Sequence, residues 1–371
     1  MAVAAAAAST KDVEHLDIWV FERVFYENHP GWKRFDDCAG HLANYAIVED
    51  DLESLRDATL PKDIEGLCID LSCYTYRKED NDPKVENFEK LKFLNVLEAS
   101  LISLDCIRGL PELRVLVCNG FALQALSRLR DDELATSIAS LPKLRCIVTY
   151  DYELFPDSLL LPHVFPVSLR SLALMRACNY DYSFLLHLPN LENLHLDLSN
   201  CENHNVLDTL RRLPYNSKLL RFGTIDQELL RNVQADKLYS TAQNLLDGWP
   251  NLRQLSVDLP GFGVTKQKAL RFPRTIQVLK LTNCGPFKLK ALLLDYKQLK
   301  FLAVFTDRVN SKDLKILRHC YRTKTMFMGN FKVYLREKFS TTSKYHFILS
   351  KSSTEDGSTS YFNYVYENFY N

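Results

Sequence analysis

An α/β repeat array is the fold class that this 371-residue sequence predicts, and three observations lead to it. An apolar pattern, Leu-x-x-Leu-x-[Leu/Val/Ile], returns along most of the chain. A proline stands shortly before many of its copies. The composition is that of an ordinary folded chain: 46% hydrophobic, 25% charged, with only 12 Gly and 14 Pro, which excludes a collagen-like or largely disordered protein. The length is about twice that of a usual single domain, yet stacked repeats can use it as one body.

Residues 1–60 carry no copy of the pattern. Val13, Leu16, Val20 and Val24 recur at helical spacing, and Ser9 with Asp12 supplies a start signal, so a helix is expected over 10–27. A more polar stretch follows, with Trp32, Phe35, the cluster Leu42, Tyr45 and Ile47, and the acids Glu49, Asp50 and Asp51.

The repeats occupy 61–338. Copies stand at Ile64-Leu67-Ile69, Leu91-Leu94-Val96, Leu113-Leu116-Cys118, Leu144-Ile147, Leu169-Leu172-Leu174, Leu191-Leu194-Leu196, Leu252-Leu255-Val257, Ile276-Leu279-Leu281 and Leu299-Leu302-Val304, with a degraded one at Leu219-Phe222. The second apolar position steps by 22 to 33 residues, about 26 on average, which gives about ten irregular repeats. Proline lies two residues before the pattern at Leu110-Pro111, Leu141-Pro142, Leu188-Pro189 and Trp249-Pro250, and three before at Phe165-Pro166 and Phe272-Pro273. Lacking an N–H and disfavouring helix in the residue before it, proline ends one element just ahead of the next strand. Each unit therefore reads as a short strand, a turn, a helical or irregular return, and a proline stop.

Residues 339–371 leave the pattern. Aromatic and β-branched runs at 345–349 and 361–366 flank Glu355, Asp356 and Gly357, which reads as a C-terminal hairpin cap with a mobile Ser/Thr-rich stretch.

The copies resemble the leucine-rich repeat family over residues 60–320. The resemblance implies a solenoid with a curved parallel sheet on its concave face, helices or irregular returns on its convex face, and caps at both ends. The sequence departs from the family where an Asn is usual five places after the second leucine, having Ser72, Ala99, Phe121, Ala177, Ser199, Pro260 and Cys284 there. Irregular copies of this kind look most like intracellular repeat proteins of ubiquitin-ligase adaptors. The stretch His15, Leu16, Asp17, Ile18, Trp19, Val20 and Phe21 resembles the opening of an F-box, without the usual Leu-Pro start. Two readings of 1–60 stay open: a helical cap that shields the first repeat, or a divergent F-box-like segment. The second implies the Skp adaptor and a cullin–RING ligase as partners, contacted through Leu16, Ile18 and Trp19. The chain would then be a substrate receptor; the alternative is a repeat scaffold or regulator with no ligase link.

Side chains alternate along a strand, so the residues between the three apolar positions line the other sheet face. Those expected to be available to a protein partner are Tyr150, Met175, His195, Asp197, Gln254, Asp258 and Lys280, interspersed with apolar Val115, Val117, Val148 and Phe301. The 46 Lys and Arg cancel the 46 Asp and Glu, but residues 266–338 hold eighteen basic residues against four acids. That asymmetry suits an acidic or phosphorylated partner at the basic end. The basic residues are not interleaved with aromatics in a nucleic-acid motif, so nucleic acid is not an expected partner.

No catalytic motif, phosphate-binding glycine loop or paired-cysteine zinc spacing is present. His187, His195, Cys201 and His204 are the nearest approach to a metal set, at a spacing that fits no common site. An enzyme, a cofactor and a metal are therefore not expected. The start has no basic n-region or apolar core, and no stretch of 18 apolar residues occurs, so neither a secretory signal nor a membrane span is expected. The ten scattered cysteines then read as reduced core residues of a cytoplasmic or nuclear protein.

Overall fold

The computed structural model describes residues 42, 44–49, 62–70, 88–96, 110–119, 141–150, 165–176, 181–199, 201, 204–262, 270–284, 296, 298, 301–306, 326–329 and 347–349. They divide into two compact units, the first running to Pro214 and the second starting at Tyr215.

In the first unit, β1 (Tyr45–Glu49), β2 (Gly66–Asp70), β3 (Phe93–Val96), β4 (Val115–Asn119), β5 (Cys146–Tyr150), β6 (Ser171–Met175) and β7 (Asn193–Leu196) lie side by side in sequence order, each parallel to the next. The register puts Leu67, Leu94, Leu116, Ile147, Leu172 and Leu194 in one continuous buried row. These are the second apolar positions of successive copies, so the sequence period and the strand register are the same quantity.

A repeated turn sets that register. The carbonyl of Leu110 accepts from the amide of Leu113, that of Leu141 from Leu144, and that of Leu188 from Leu191, at 3.1–3.4 Å. Proline occupies the second place of each turn, where its fixed φ is already suitable. The residue before it is buried under the turn. At Phe165-Pro166 the spacing is one longer, and Pro166 itself supplies the carbonyl that Leu169 reaches, while Phe165 fills the buried place. Neighbouring turns are tied by side chains: Ser168 Oγ donates to the Leu144 carbonyl at 2.8 Å and Asn190 Nδ2 to that of Val167 at 2.9 Å.

The ladder starts earlier than the repeat pattern, because β1 lies inside residues 1–60 and pairs with β2 over its full length. Leu42 and Tyr45 are buried there. The expected helix over 10–27 lies outside the described residues. Later in this unit a 3₁₀ turn (Ser183–His187) contacts α1 (Val206–Arg212). Asn205, at the start of α1, turns its side chain to the preceding repeat: its Oδ1 accepts from the amide of Tyr182 at 2.7 Å and its Nδ2 donates to Asp181 at 2.6 Å.

In the second unit β8 (Arg221–Asp226), β9 (Gln254–Phe262), β10 (Val278–Cys284), β11 (Phe301–Thr306), β12 (Met326–Gly329) and β13 (Phe347–Leu349) are likewise parallel and in order. Phe222, Leu255, Leu279, Leu302, Phe327 and Phe347 share one register row. The degraded copy at Leu219-Phe222 is thus a strand of this ladder. Between β8 and β9 runs α2 (Leu238–Asp247), which buries Tyr239, Ala242, Leu245 and Leu246. Its Gln243 reads the backbone of Arg271, donating to the carbonyl and accepting from the amide at 3.1 and 2.8 Å. Trp249, before the proline stop, is buried against Phe222 with ring centroids 4.7 Å apart. Asn251 and Thr275 repeat the turn ties seen in the first unit, to the Ser217 and Leu252 carbonyls. At the C-terminal end β13 continues the parallel ladder; the second run of the expected hairpin, 361–366, lies outside the described residues.

Cys68, Cys118, Cys146 and Cys201 are free and buried, as small apolar groups of the core. Burial pushes the Cys118 thiol up to about 12, so it stays protonated at neutral pH. No described helix is long and apolar enough to cross a membrane.

Candidate functional site

The two units differ on the sheet face opposite the leucine row. In the first unit this face is closed. Gly66, Phe93, Val115, Cys146, Ser171 and Asn193 form one buried row, and Cys68, Asn95, Val117, Val148, Ala173 and His195 a second. Its polar members bond along the row: Asn193 Nδ2 donates to Ser171 Oγ at 2.8 Å, and Asn95 Nδ2 to Cys68 Sγ at 3.3 Å. A parallel sheet is ordinarily covered on both faces, and here the inter-leucine residues are small or apolar enough to allow it.

Of the residues expected to be available in this unit, Tyr150 stands in β5 opposite Met175 of β6. Met175 is half-buried and His195 is buried at 8% exposure. Asp197, half-buried after β7, accepts from the amides of Arg176 and Ser199 at 3.2 and 3.1 Å. Its bond to Arg176 holds a residue whose φ of 49° is uncommon for a non-glycine. Asp197 therefore shapes the strand exits.

In the second unit the same face is polar and charged across β8, β9 and β10. The register aligns Arg221 with Gln254 and Val278, Thr224 with Ser256 and Lys280, and Asp226 with Asp258 and Thr282. The register shift between Phe222 and Thr224 leaves room for Gly223, and this extra residue returns Thr224 and Asp226 to the face that carries Arg221. Arg221, Thr224, Asp226 and Asp258 are half-buried, while Gln254, Ser256 and Lys280 lie deeper at 2%, 5% and 6% exposure.

The electrostatics follow from that depth. Burial pushes the Lys280 ammonium down to about 8, and the nearby Asp258 carboxylate works against the shift. Gln254 Nε2 is buried with no hydrogen-bond partner, an unsatisfied donor on the same face. Asp226 Oδ1 accepts from the Leu229 amide at 2.8 Å, which fixes its carboxylate at the turn after β8. The arrangement can offer hydrogen bonds and ion pairs of both signs from a rigid sheet. Gln254, Asp258 and Lys280 are thus brought together with Arg221, Thr224 and Asp226, three residues the sequence reading missed. The degraded copy at Leu219-Phe222 hid them, because Gly223 breaks strict alternation; Arg, Thr and Asp one residue either side of the apolar positions were the available signal.

His187 is exposed, His195 and Cys201 are buried, and His204 meets Tyr182 edge-on at 6.3 Å. Among the described residues no group of three or more His, Cys, Asp or Glu is disposed to hold a metal ion. Leu16, Ile18 and Trp19 lie outside the described residues. Of the basic end, Arg271 and Arg274 are described and exposed. Compared with known protein families and with curated proteins, the chain matches none.

Proposed function

We propose that the chain is a non-enzymatic protein-interaction module of the leucine-rich-repeat type that holds a partner on the polar face of β8–β10. The observation that carries this reading is the contrast between sheet faces: closed and largely apolar in the first unit, charged and half-open in the second. A rigid sheet with fixed charges around a buried, unpartnered amide donor is suited to partner recognition. The finer reading is a substrate receptor of a cullin–RING ubiquitin ligase, in which Leu16, Ile18 and Trp19 contact the Skp adaptor and the sheet face holds the target. Its support is the F-box-like stretch at 15–21. The mechanism is then positional: the chain brings the target near a ubiquitin-carrying enzyme and performs no bond chemistry itself.

One observation favours a second reading, a repeat scaffold without a ligase link. Part of 1–60 serves the sheet itself, since β1 is its first strand and Leu42 and Tyr45 are core residues. Co-expression of the full chain with the Skp adaptor separates the two. The receptor reading expects a stoichiometric complex that is lost when Leu16, Ile18 and Trp19 are all replaced by Ala. A folded full chain that forms no complex supports the scaffold.

A further inference from the structure

The residue after the first leucine of each copy stands where the chain leaves the turn, ahead of the strand. Backbone bonds link these residues across the first unit. The amide of Lys92 donates to the carbonyl of Glu65, Arg114 to Lys92, Arg145 to Arg114, Arg170 to Arg145 and Glu192 to Arg170, all at 2.8–2.9 Å. They form one column in the order Glu65, Lys92, Arg114, Arg145, Arg170, Glu192. Its ends are neutralised: Lys92 pairs with Glu65, and Arg170 stands 4.0 Å from Glu192. These contacts also show that side chains in the column lie alongside one another.

The two central arginines are different. Arg114 and Arg145 are half-buried and have no carboxylate partner among the described residues; the nearby Glu112 is held by Lys143. Neighbouring strands are about 4.8 Å apart, so two guanidinium groups are rooted side by side with their charges unmatched. Like charges so placed repel, and an anion between them relieves this.

We propose that Arg114 and Arg145 form a clamp for one phosphate group on a phosphorylated segment of a partner protein. The spacing selects this chemistry. A phosphate carries close to two charges and three acceptor oxygens, so it can take a forked contact from each arginine. An extended acidic peptide presents same-side carboxylates about 6.7 Å apart, which mismatches the column. The two acids that bracket the column favour a single dianion over a long polyanion, because nucleic acid running along it would meet Glu65 and Glu192. That the phosphate is borne by a protein rests on the interaction-module reading above.

The test uses the full chain and immobilised peptide libraries with a fixed central phosphoserine, Ser or Asp, with poly(U) as a fourth probe. The phosphoserine library is expected to retain the chain in preference to the other three. Arg114→Gln and Arg145→Gln are each expected to weaken retention about tenfold or more, and the double variant to abolish it. Arg253→Gln is the control. Arg253 occupies the same column position in the second unit, but its neighbours there are Leu220 and Gln277, so it has no second arginine beside it. Unchanged circular dichroism establishes that the variants fold. No preference for phosphoserine, or undiminished retention of the folded double variant, overturns the proposal. Equal arginine-dependent retention on the Asp library or poly(U) overturns it too, making an acidic segment or RNA the occupant. The adaptor is absent from this experiment, so its failure leaves the adaptor complex standing and the reverse also holds.

Discussion

Gly66 sits between Tyr45 and Phe93 in the register, and the rings of those two residues approach to 6.2 Å. A Cβ at Gly66 would collide with Leu42 Cδ1 and the Tyr45 ring. Gly66→Ala is therefore expected to destabilise the first unit by about 1–3 kcal/mol through overpacking, read as a lower urea midpoint with an unchanged slope. Lys280 gives a second prediction, in pH. Its ammonium titrates at about 8 in the fold against 10.5 without burial. Between those values the unfolded chain binds more protons, so stability rises with pH across this window, while below it the full cost of burying the charge is present. Urea titrations at about pH 7 and about pH 9 should show a gain that is lost in Lys280→Met. An equal gain in the variant would show that Lys280 is not its source.

The elements are joined less by helix propensity than by ties between successive repeats. Asn205 links the start of α1 to the 3₁₀ turn before it, and its loss would take this acceptor from the Tyr182 amide and one of three donors from Asp181, leaving those from Ser183. Asn205→Ala should cost about 1–3 kcal/mol, measured by thermal or urea unfolding. Burial alone would raise the Asp181 pKa, but bonds from Asn205 and Ser183 outweigh it and hold the carboxyl below its ordinary value. That contribution is present above the ordinary carboxylate range and is lost as pH falls through the lowered value.

Most strands were legible in the sequence because the apolar pattern recurs, and before six of them (β4 to β7, β9 and β10) a proline turn recurs with it. β1 was not, since Tyr45, Ala46, Ile47, Val48 and Glu49 lack the first leucine and the turn. The candidate site was half legible: alternation placed Gln254, Asp258 and Lys280 on one face. It could not foresee the depth of that face, which depends on what covers it. The Arg114–Arg145 column leaves no trace as a charged block along the chain, because its residues stand about one repeat apart and gather only across neighbouring strands.

At the scale of the whole molecule, every strand's pairing partner is a neighbour in sequence order, within each unit. Stability in such a ladder is close to a sum of local and nearest-neighbour contributions, so unfolding need not be a single step. Leu116 is buried in the first unit and Trp249 in the second. In a background with Trp19 and Trp32 changed to Phe, Leu116→Ala should lower the far-ultraviolet dichroism midpoint, by a loss of about 2–5 kcal/mol. The Trp249 fluorescence transition should move little. A matched shift in both probes would mean that the chain unfolds as one cooperative body.

The turn geometry also governs how this sequence can change over generations. From Leu110 to Cys118 each residue has a fixed duty, and one deletion there would exchange core and opposite-face side chains throughout the strand. The returns already differ, with repeat steps of 22 to 33 residues, and face no such arithmetic. Gaps between this chain and its descendants should therefore collect in the returns, while the stretch from proline turn to strand end keeps its length even where its letters drift.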